Sequence, residues 1–176
     1  MEHSSTLATW LEDEAAIRAQ LSTPGVASRE ELSSRSGIEF LAGIRNGELP
    51  PAPIGEMMGF IPIKAEPGLV IFQGTPGKQH YNPSGSVHGG YAATLLDSAV
   101  GCAVHSMLPA GKGYTTLELK VNYLRAMTDK TGPVRAEGKV ITVGNQIAVA
   151  EGRITDANGK LYAFATTTCM IFPIAA

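Results

Sequence analysis

The sequence has little of the chemistry that marks several common classes of protein. It contains only two cysteines, Cys102 and Cys169. Both lie inside apolar segments and neither has metal-ligand spacing, so they read as small buried hydrophobes rather than as a disulfide framework or a zinc site. That usage fits a reducing compartment. Charged residues make up 17% of the chain, the formal net charge is -2, and lysine and arginine form no cluster, which leaves no electrostatic footprint for a nucleic-acid backbone. The most apolar stretch, Tyr91 to Leu108, is interrupted by Asp97 and His105 and falls short of the apolar length that spans a bilayer. The opening "MEHSSTLATWLEDEAA" lacks the basic start and apolar run of a signal peptide. A soluble, cytoplasmic protein with no membrane or nucleic-acid partner is expected.

The 176 residues are 44% hydrophobic, enough for one globular domain with a full core and a small appendage. Leu7, Trp10, Leu11, Ile17 and Leu21 share one helical stripe, which Pro24-Gly25 should end. "SREE" then offers a capping box, with Ser28 as N-cap and Glu31 three residues on. A second helix is expected to carry Leu32, Ile38, Leu41 and Ile44 up to Gly47, and "PPAP" at 50–53 reads as a boundary. Residues 1–49 are therefore taken as a helical N-terminal extension and 50–176 as the main domain.

From Gly59 onward the apolar period falls to two. "FIPIKAE" and "LVIFQGT" flank the turn Pro67-Gly68, and a glycine-rich loop leads into one long apolar helix. "TTLELKVNYL" then alternates, with Leu117, Leu119, Val121 and Tyr123 on one face and Thr116, Glu118, Lys120 and Asn122 on the other. "VRAEGKVITV", "QIAVAEGRIT" and "KLYAFATTTCMIF" follow as a meander with turns at Gly144-Asn145 and "DANG". Two strands, one helix and four more strands predict an α+β fold in which a curved antiparallel sheet of about six strands wraps a long central helix.

That helix poses the functional question. Its stretch "NPSGSVHGGYAATLLDSAVGCAVHSML" is small or apolar nearly throughout, yet holds Asp97. An ionised carboxylate in such surroundings is costly unless it is paired or hydrogen-bonded. Either it fixes packing through accepted hydrogen bonds or it is functional. Gly85, Gly89 and Gly90 let the backbone approach a ligand, and the first turn of a helix offers free N–H groups and a positive dipole end. Gly89 and Asp97 are eight residues apart, about 12 Å along a helix axis. One carbonyl cannot touch both, so a shared reaction requires two copies of the helix related by a two-fold axis. Cys102 and His105, further along, read as packing residues.

The run from Asn82 to Arg125, "NPSGSVHGGYAATLLDSAVGCAVHSMLPAGKGYTTLELKVNYLR", resembles hotdog-fold acyl-CoA thioesterases of the PaaI-like, phenylacetate-pathway branch. The joint spacing, Asn six residues before His88 and Asp nine after it, carries the resemblance, which extends over residues 50–173 as ordered elements. It implies two hotdogs sharing one sheet as a homodimer, usually paired into a homotetramer, and hydrolysis of an acyl-CoA substrate without cofactor or metal. It places the Gly89 N–H on the thioester carbonyl and makes Asp97 of the partner subunit the general base or nucleophile. Asn82 and Thr116 are then expected to hold the water or thioester, His88 to orient the loop, and Gly90 and Ser98 to line the substrate. Arg125 could meet a CoA phosphate through its guanidinium fork. Two other readings stay open on the residues: a hotdog hydratase or dehydratase, and a non-catalytic acyl-CoA-binding or regulatory protein of the same fold.

Overall fold

A computed structural model describes residues 2–174 of the chain, with side chains from residue 6. Four helices come first: α1 (Glu2–Arg18), α2 (Arg29–Ser34), α3 (Gly37–Arg45) and α4 (Pro53–Met58). Then follow β1 (Phe60–Glu66), β2 (Leu69–Gly74), the long helix α5 (Gly89–His105), β3 (Lys112–Tyr123), β4 (Val134–Val143), β5 (Ile147–Asp156) and β6 (Leu161–Pro173). The six strands form one antiparallel sheet in the order β1-β2-β4-β5-β6-β3. The sheet curls around α5, so the expected hotdog arrangement is present. No helix among the described residues is long and apolar enough to cross a membrane.

The extension differs from its sequence reading in three places. α1 ends at Arg18, six residues before Pro24-Gly25. The single helix expected after Ser28 is two helices, because Ser36 and Glu39 form a second capping box just behind the Ser28–Glu31 box, and Arg35 between them is extended at φ -112, ψ 147. Two boxes three residues beyond their own caps cannot belong to one continuous helix, since each N-cap leaves helical geometry. The "PPAP" boundary opens α4, where Pro53 sits in the first turn that tolerates a missing N–H.

α1 lies on the face of the sheet opposite α5. There the fully buried Gln73 of β2 donates its amide to the Trp10 carbonyl at 3.0 Å and to Glu14 Oε2 at 2.7 Å. It accepts from Arg135 Nε of β4 at 2.8 Å, and Arg135 also reaches Asp13 at 2.7 Å and stacks over the Trp10 ring at 4.5 Å. α3 abuts the other end of α5: Gly37 donates to the Leu108 carbonyl at 2.9 Å, and the Phe40 and His105 rings lie 5.4 Å apart. The extension thus braces the sheet edge and the helix end.

α5 is held by Leu95, Leu96, Ala99, Val100, Ala103 and Val104, all fully buried. Each of the larger ones is worth roughly 1.5–3 kcal/mol in burial. The sheet comes so close that a Cβ at Gly138 would collide with the Ala99 carbonyl, and one at Gly152 would stand 2.7 Å from Val100 Cγ1. The helix is not enclosed all round, however. Gly90, Ala93, Thr94, Asp97, Ser98 and Cys102 are only half-buried, and their spacing of three and four puts them on one stripe. Hydropathy counted Ala93 and Cys102 with the core, whereas they lie with the small polar residues on one accessible face of α5.

Candidate active site

The start of α5 is set by its N-cap. His88 Nδ1 accepts from the Gly90 N–H at 2.8 Å, while the His88 N–H donates to the His80 carbonyl at 2.7 Å. The Gly90 N–H is therefore spent on the cap. Gly89, the first helical residue, has no acceptor within the helix for its own N–H. Of the two candidate glycines, Gly89 is the one positioned to donate outward.

Asn82 organises the loop that precedes the cap. Its Oδ1 accepts from the Ser84 and Ser86 N–H groups at 2.9 and 3.3 Å, and its Nδ2 donates to Ser86 Oγ at 3.1 Å. The side chain is an Asx turn that stiffens the approach to Gly89. Val87 then donates to the Met127 carbonyl at 3.0 Å, tying this loop to the segment after β3.

Asp97 lies in the third turn of α5, and Thr116 Oγ1 donates to its Oδ1 at 2.9 Å. A β-bulge makes this contact. The pairing of β3 with β6 runs Thr116 with Cys169, then Glu118 with Thr168, leaving Leu117 as the extra residue. Strict alternation had put Thr116 opposite Leu119, and the bulge corrects it: Tyr114 and Thr116 share the helix-facing side with Leu119 and Val121, while Leu117 is turned out and 55% exposed. A bulge adds one residue to one strand and so reverses the faces on either side of it.

Behind Asp97 lie Cys102, Tyr114 and Cys169. Burial pushes the Cys102 thiol up to about 12; the Tyr114 hydroxyl opposes that shift by hydrogen bonding, and the Asp97 charge adds to it. Cys169 is raised by burial too, against hydrogen bonds with Thr167 and Thr116. Both thiols stay protonated at neutral pH and are not rival nucleophiles. Ser98 Oγ donates to the Thr94 carbonyl at 2.9 Å, and Thr94 Oγ1 to the Gly90 carbonyl at 2.9 Å, so these hydroxyls are turned back onto the helix.

Two clefts flank the cap. One, of about 300 Å³, opens directly before Gly89 and is walled by Val87, Tyr123, Arg125 and Met127. Arg125 donates to the Leu161 carbonyl at 2.6 Å at its rim. The other, of about 350 Å³, lies beside Met58, His80, Tyr81 and Tyr91. His80 accepts from the Gly77 N–H at 3.0 Å through Nδ1 and stacks on Tyr91 with ring centroids 4.5 Å apart. Burial lowers its pKa. No group of three or more His, Cys, Asp or Glu among the described residues could hold a metal. Sequence reasoning missed Tyr123, which alternation had counted as a core residue; its only signal was the place at the strand end facing the glycine loop.

The geometry assembles a helix N-terminus with one outward N–H and, eight residues or just over two turns further along the same helix, a carboxylate held by a hydroxyl. Residues 84–163 match the model of the thioesterase superfamily. An esterase-named protein of Saccharolobus solfataricus is 36% identical over 100 residues, covering 56% of this chain and 69% of that protein. The chain belongs to the thioesterase superfamily. Within it the chain is a hotdog of the PaaI-like kind. It is similar to a phenylacetic acid degradation-related thioesterase structure from Ralstonia eutropha JMP134, at 26% identity and TM-score 0.68, covering 74% of this chain and 98% of that one. It is also similar to a Streptococcus mutans UA159 protein solved with acetyl CoA, at 27% identity and TM-score 0.60, covering 65% and 90%. The chain spans 47%, 69% and 57% of three curated relatives that it matches. Membership in this thioesterase family supports a hydrolase acting on thioesters.

Proposed function

We propose that this protein hydrolyses an acyl-CoA thioester to a free acid and CoA, working in the cytoplasm as a homodimer or homotetramer with its sites between subunits. The observation that carries the reading is the pairing of Asp97 with Thr116 on the open stripe of α5. A carboxylate placed there is available to a second chain, and one of its oxygens is fixed while the other is left for chemistry. The free edge supports the same arrangement. β3 ends the sheet and is 12 residues long, an edge that invites continuation into a neighbouring sheet. The small stripe residues let two α5 helices approach. Binding of acetyl CoA by the Streptococcus relative supports CoA thioesters as the substrate class. The boundary near residue 49 then separates the hotdog from an extension that braces it.

In this reading the Gly89 N–H and the helix dipole receive the developing oxyanion, and one such donor is worth about 3 kcal/mol. Asp97 of the partner subunit takes a proton from water as the water oxygen attacks the carbonyl carbon, the C–S bond breaks, and the proton passes to the departing sulfur. Direct attack by Asp97, with hydrolysis of the resulting anhydride, gives the same products. Asn82, expected from the resemblance to hold the water or thioester, is assigned instead to the loop with His88, because its amide is engaged with Ser84 and Ser86; Thr116 holds the acid, and Gly90 and Ser98 shape the substrate wall. No cofactor enters.

The test is release of free thiol from a panel of aryl- and alkyl-acyl-CoA esters, comparing the native chain with Asp97→Asn. Loss of activity by two or more orders of magnitude in a folded variant supports the reading. Equal activity, or equal silence with acyl-CoA still bound, contradicts it.

A further inference from the structure

Tyr123 stands over the first residue of α5, beside the N–H that has no acceptor within the helix. If a Cβ were added to Gly89, it would lie 3.2 Å from Tyr123 Cζ and 3.4 Å from the Tyr123 hydroxyl oxygen. The phenol end of the ring therefore leans over the first residue of α5, and the two residues wall the same cleft. An amide nitrogen is about 2.5 Å from its own Cβ position by standard covalent geometry, so the Gly89 nitrogen and the Tyr123 hydroxyl are at most about 6 Å apart. One oxygen accepting from both, at about 2.9 Å from the nitrogen and about 2.7 Å from the hydroxyl, spans nearly that distance.

The other tyrosines are committed elsewhere. Tyr81 donates to Asp129 at 2.8 Å, Tyr162 donates to Asp156 at 3.1 Å, Tyr114 bonds Cys102, and Tyr91 is 1% exposed. Tyr123 is 56% exposed, and its hydroxyl makes no hydrogen bond within the described residues. Its backbone is nonetheless well anchored. It pairs with Ala163, and the next two N–H groups, of Leu124 and Arg125, both donate to the Tyr162 carbonyl at 2.8 and 3.1 Å. A phenol on a pinned strand end, open to solvent and within about 6 Å of the outward N–H, can meet the same oxygen as that N–H, as oxyanion donors require.

We propose that Tyr123 is a second hydrogen-bond donor to the thioester carbonyl, acting with the Gly89 N–H on the oxyanion. The inference rests on the thioesterase reading and adds a catalytic residue to it. The hydroxyl gives a hydrogen bond and keeps its proton. Its value lies in the transition state, where charge on the oxygen is greatest, so it acts on kcat more than on KM.

The experiment is Tyr123→Phe, which keeps the ring and removes only the donor, measured by thiol release beside the native chain and Asp97→Asn. The expected result is a fall in kcat of about tenfold to a hundredfold with KM nearly constant. A direct readout uses phenacyl-CoA labelled with 13C at its ketone, in which a CH2 separates sulfur from carbonyl and prevents hydrolysis. Its bound carbonyl infrared band should move to higher frequency in Tyr123→Phe. An active native chain, a dead Asp97→Asn and an unchanged Tyr123→Phe with an unmoved band would overturn the role of Tyr123 and leave the thioesterase reading standing. A native chain silent toward every ester overturns both.

Discussion

Thr116 on β3 donates its hydroxyl to Asp97 on α5 across 2.9 Å, and the bulge at Leu117 is what turns Thr116 toward the helix. A hydrogen bond to a charged group is worth about 2 kcal/mol. Thr116→Val should therefore lower kcat by about 30-fold with little change in melting temperature, and Thr116→Ser should restore most of the rate. Thiol-release kinetics of the two variants check this. Equal rates for Val and Thr would show that the hydroxyl does not hold the acid.

The closeness of sheet and helix gives a stability prediction. A methyl at Gly138 has the Ala99 carbonyl and the Val100 nitrogen in its way, and backbone cannot move aside as a side-chain tip does. Gly138→Ala should cost about 3 kcal/mol or more, measured by urea unfolding. Gly159→Ala is unhindered by neighbours but sits at φ 77, so its smaller cost, about 1 kcal/mol, is purely backbone strain.

Gln73 is the hinge of the brace between extension and sheet. Gln73→Leu removes the bonds to Trp10, Glu14 and Arg135 together and leaves Arg135, with its side chain 15% exposed, short of an acceptor. A loss of about 2 kcal/mol is expected, with faster proteolytic cleavage between α1 and α2 while the sheet survives. The Asp13 pair contributes less, because its carboxylate is 42% exposed and screened by water. An unchanged melting curve and digestion pattern would show that α1 is not braced through Gln73.

His105 is buried between the Phe40 and Tyr114 rings, and His80 beneath the glycine loop; burial lowers both pKa values. In the folded chain the neutral form is favoured, so the unfolded chain binds more protons below the ordinary value of 6.5. Stability should be complete above that value and fall as pH drops through it toward the lowered folded values. His105→Gln should flatten the dependence, as followed by melting temperature from pH 7.5 to about 5. A variant as acid-sensitive as the native chain would place the effect elsewhere.

Much of this architecture was legible in the residues. Period-two runs about Pro67-Gly68, Gly144-Asn145 and Asp156–Gly159 gave strands where β1, β2, β4, β5 and β6 lie, because turn chemistry and alternation are local. Ser28 was read as a cap for the same reason. What escaped was what neighbours decide. The bulge at Leu117 arises in pairing with β6, whereas the Ser36–Glu39 box is as local as the Ser28–Glu31 box and was passed over because the apolar spacing ran on through it. Asp97 stood out in the sequence because it interrupts apolar residues. Its partner Thr116 was named through resemblance while alternation pointed it away. The contact of Tyr123 with Gly89 brings together a strand end and a helix start 34 residues apart, and no spacing rule announces that.

The central claim is that each active site joins the Gly89 of one chain to the Asp97 of another, and subunit mixing tests it most directly. Gly89→Ala puts a methyl against the Tyr123 ring at 3.2 Å and obstructs the oxyanion position; Asp97→Asn removes the acid. Each variant alone should be nearly inactive. Co-expressed and randomly paired, half of the dimers are mixed and carry one intact site of two, so thiol release should recover to about a quarter of the native rate. Recovery to that level is the predicted result. Two folded, dimeric variants that stay inactive when mixed would contradict the account.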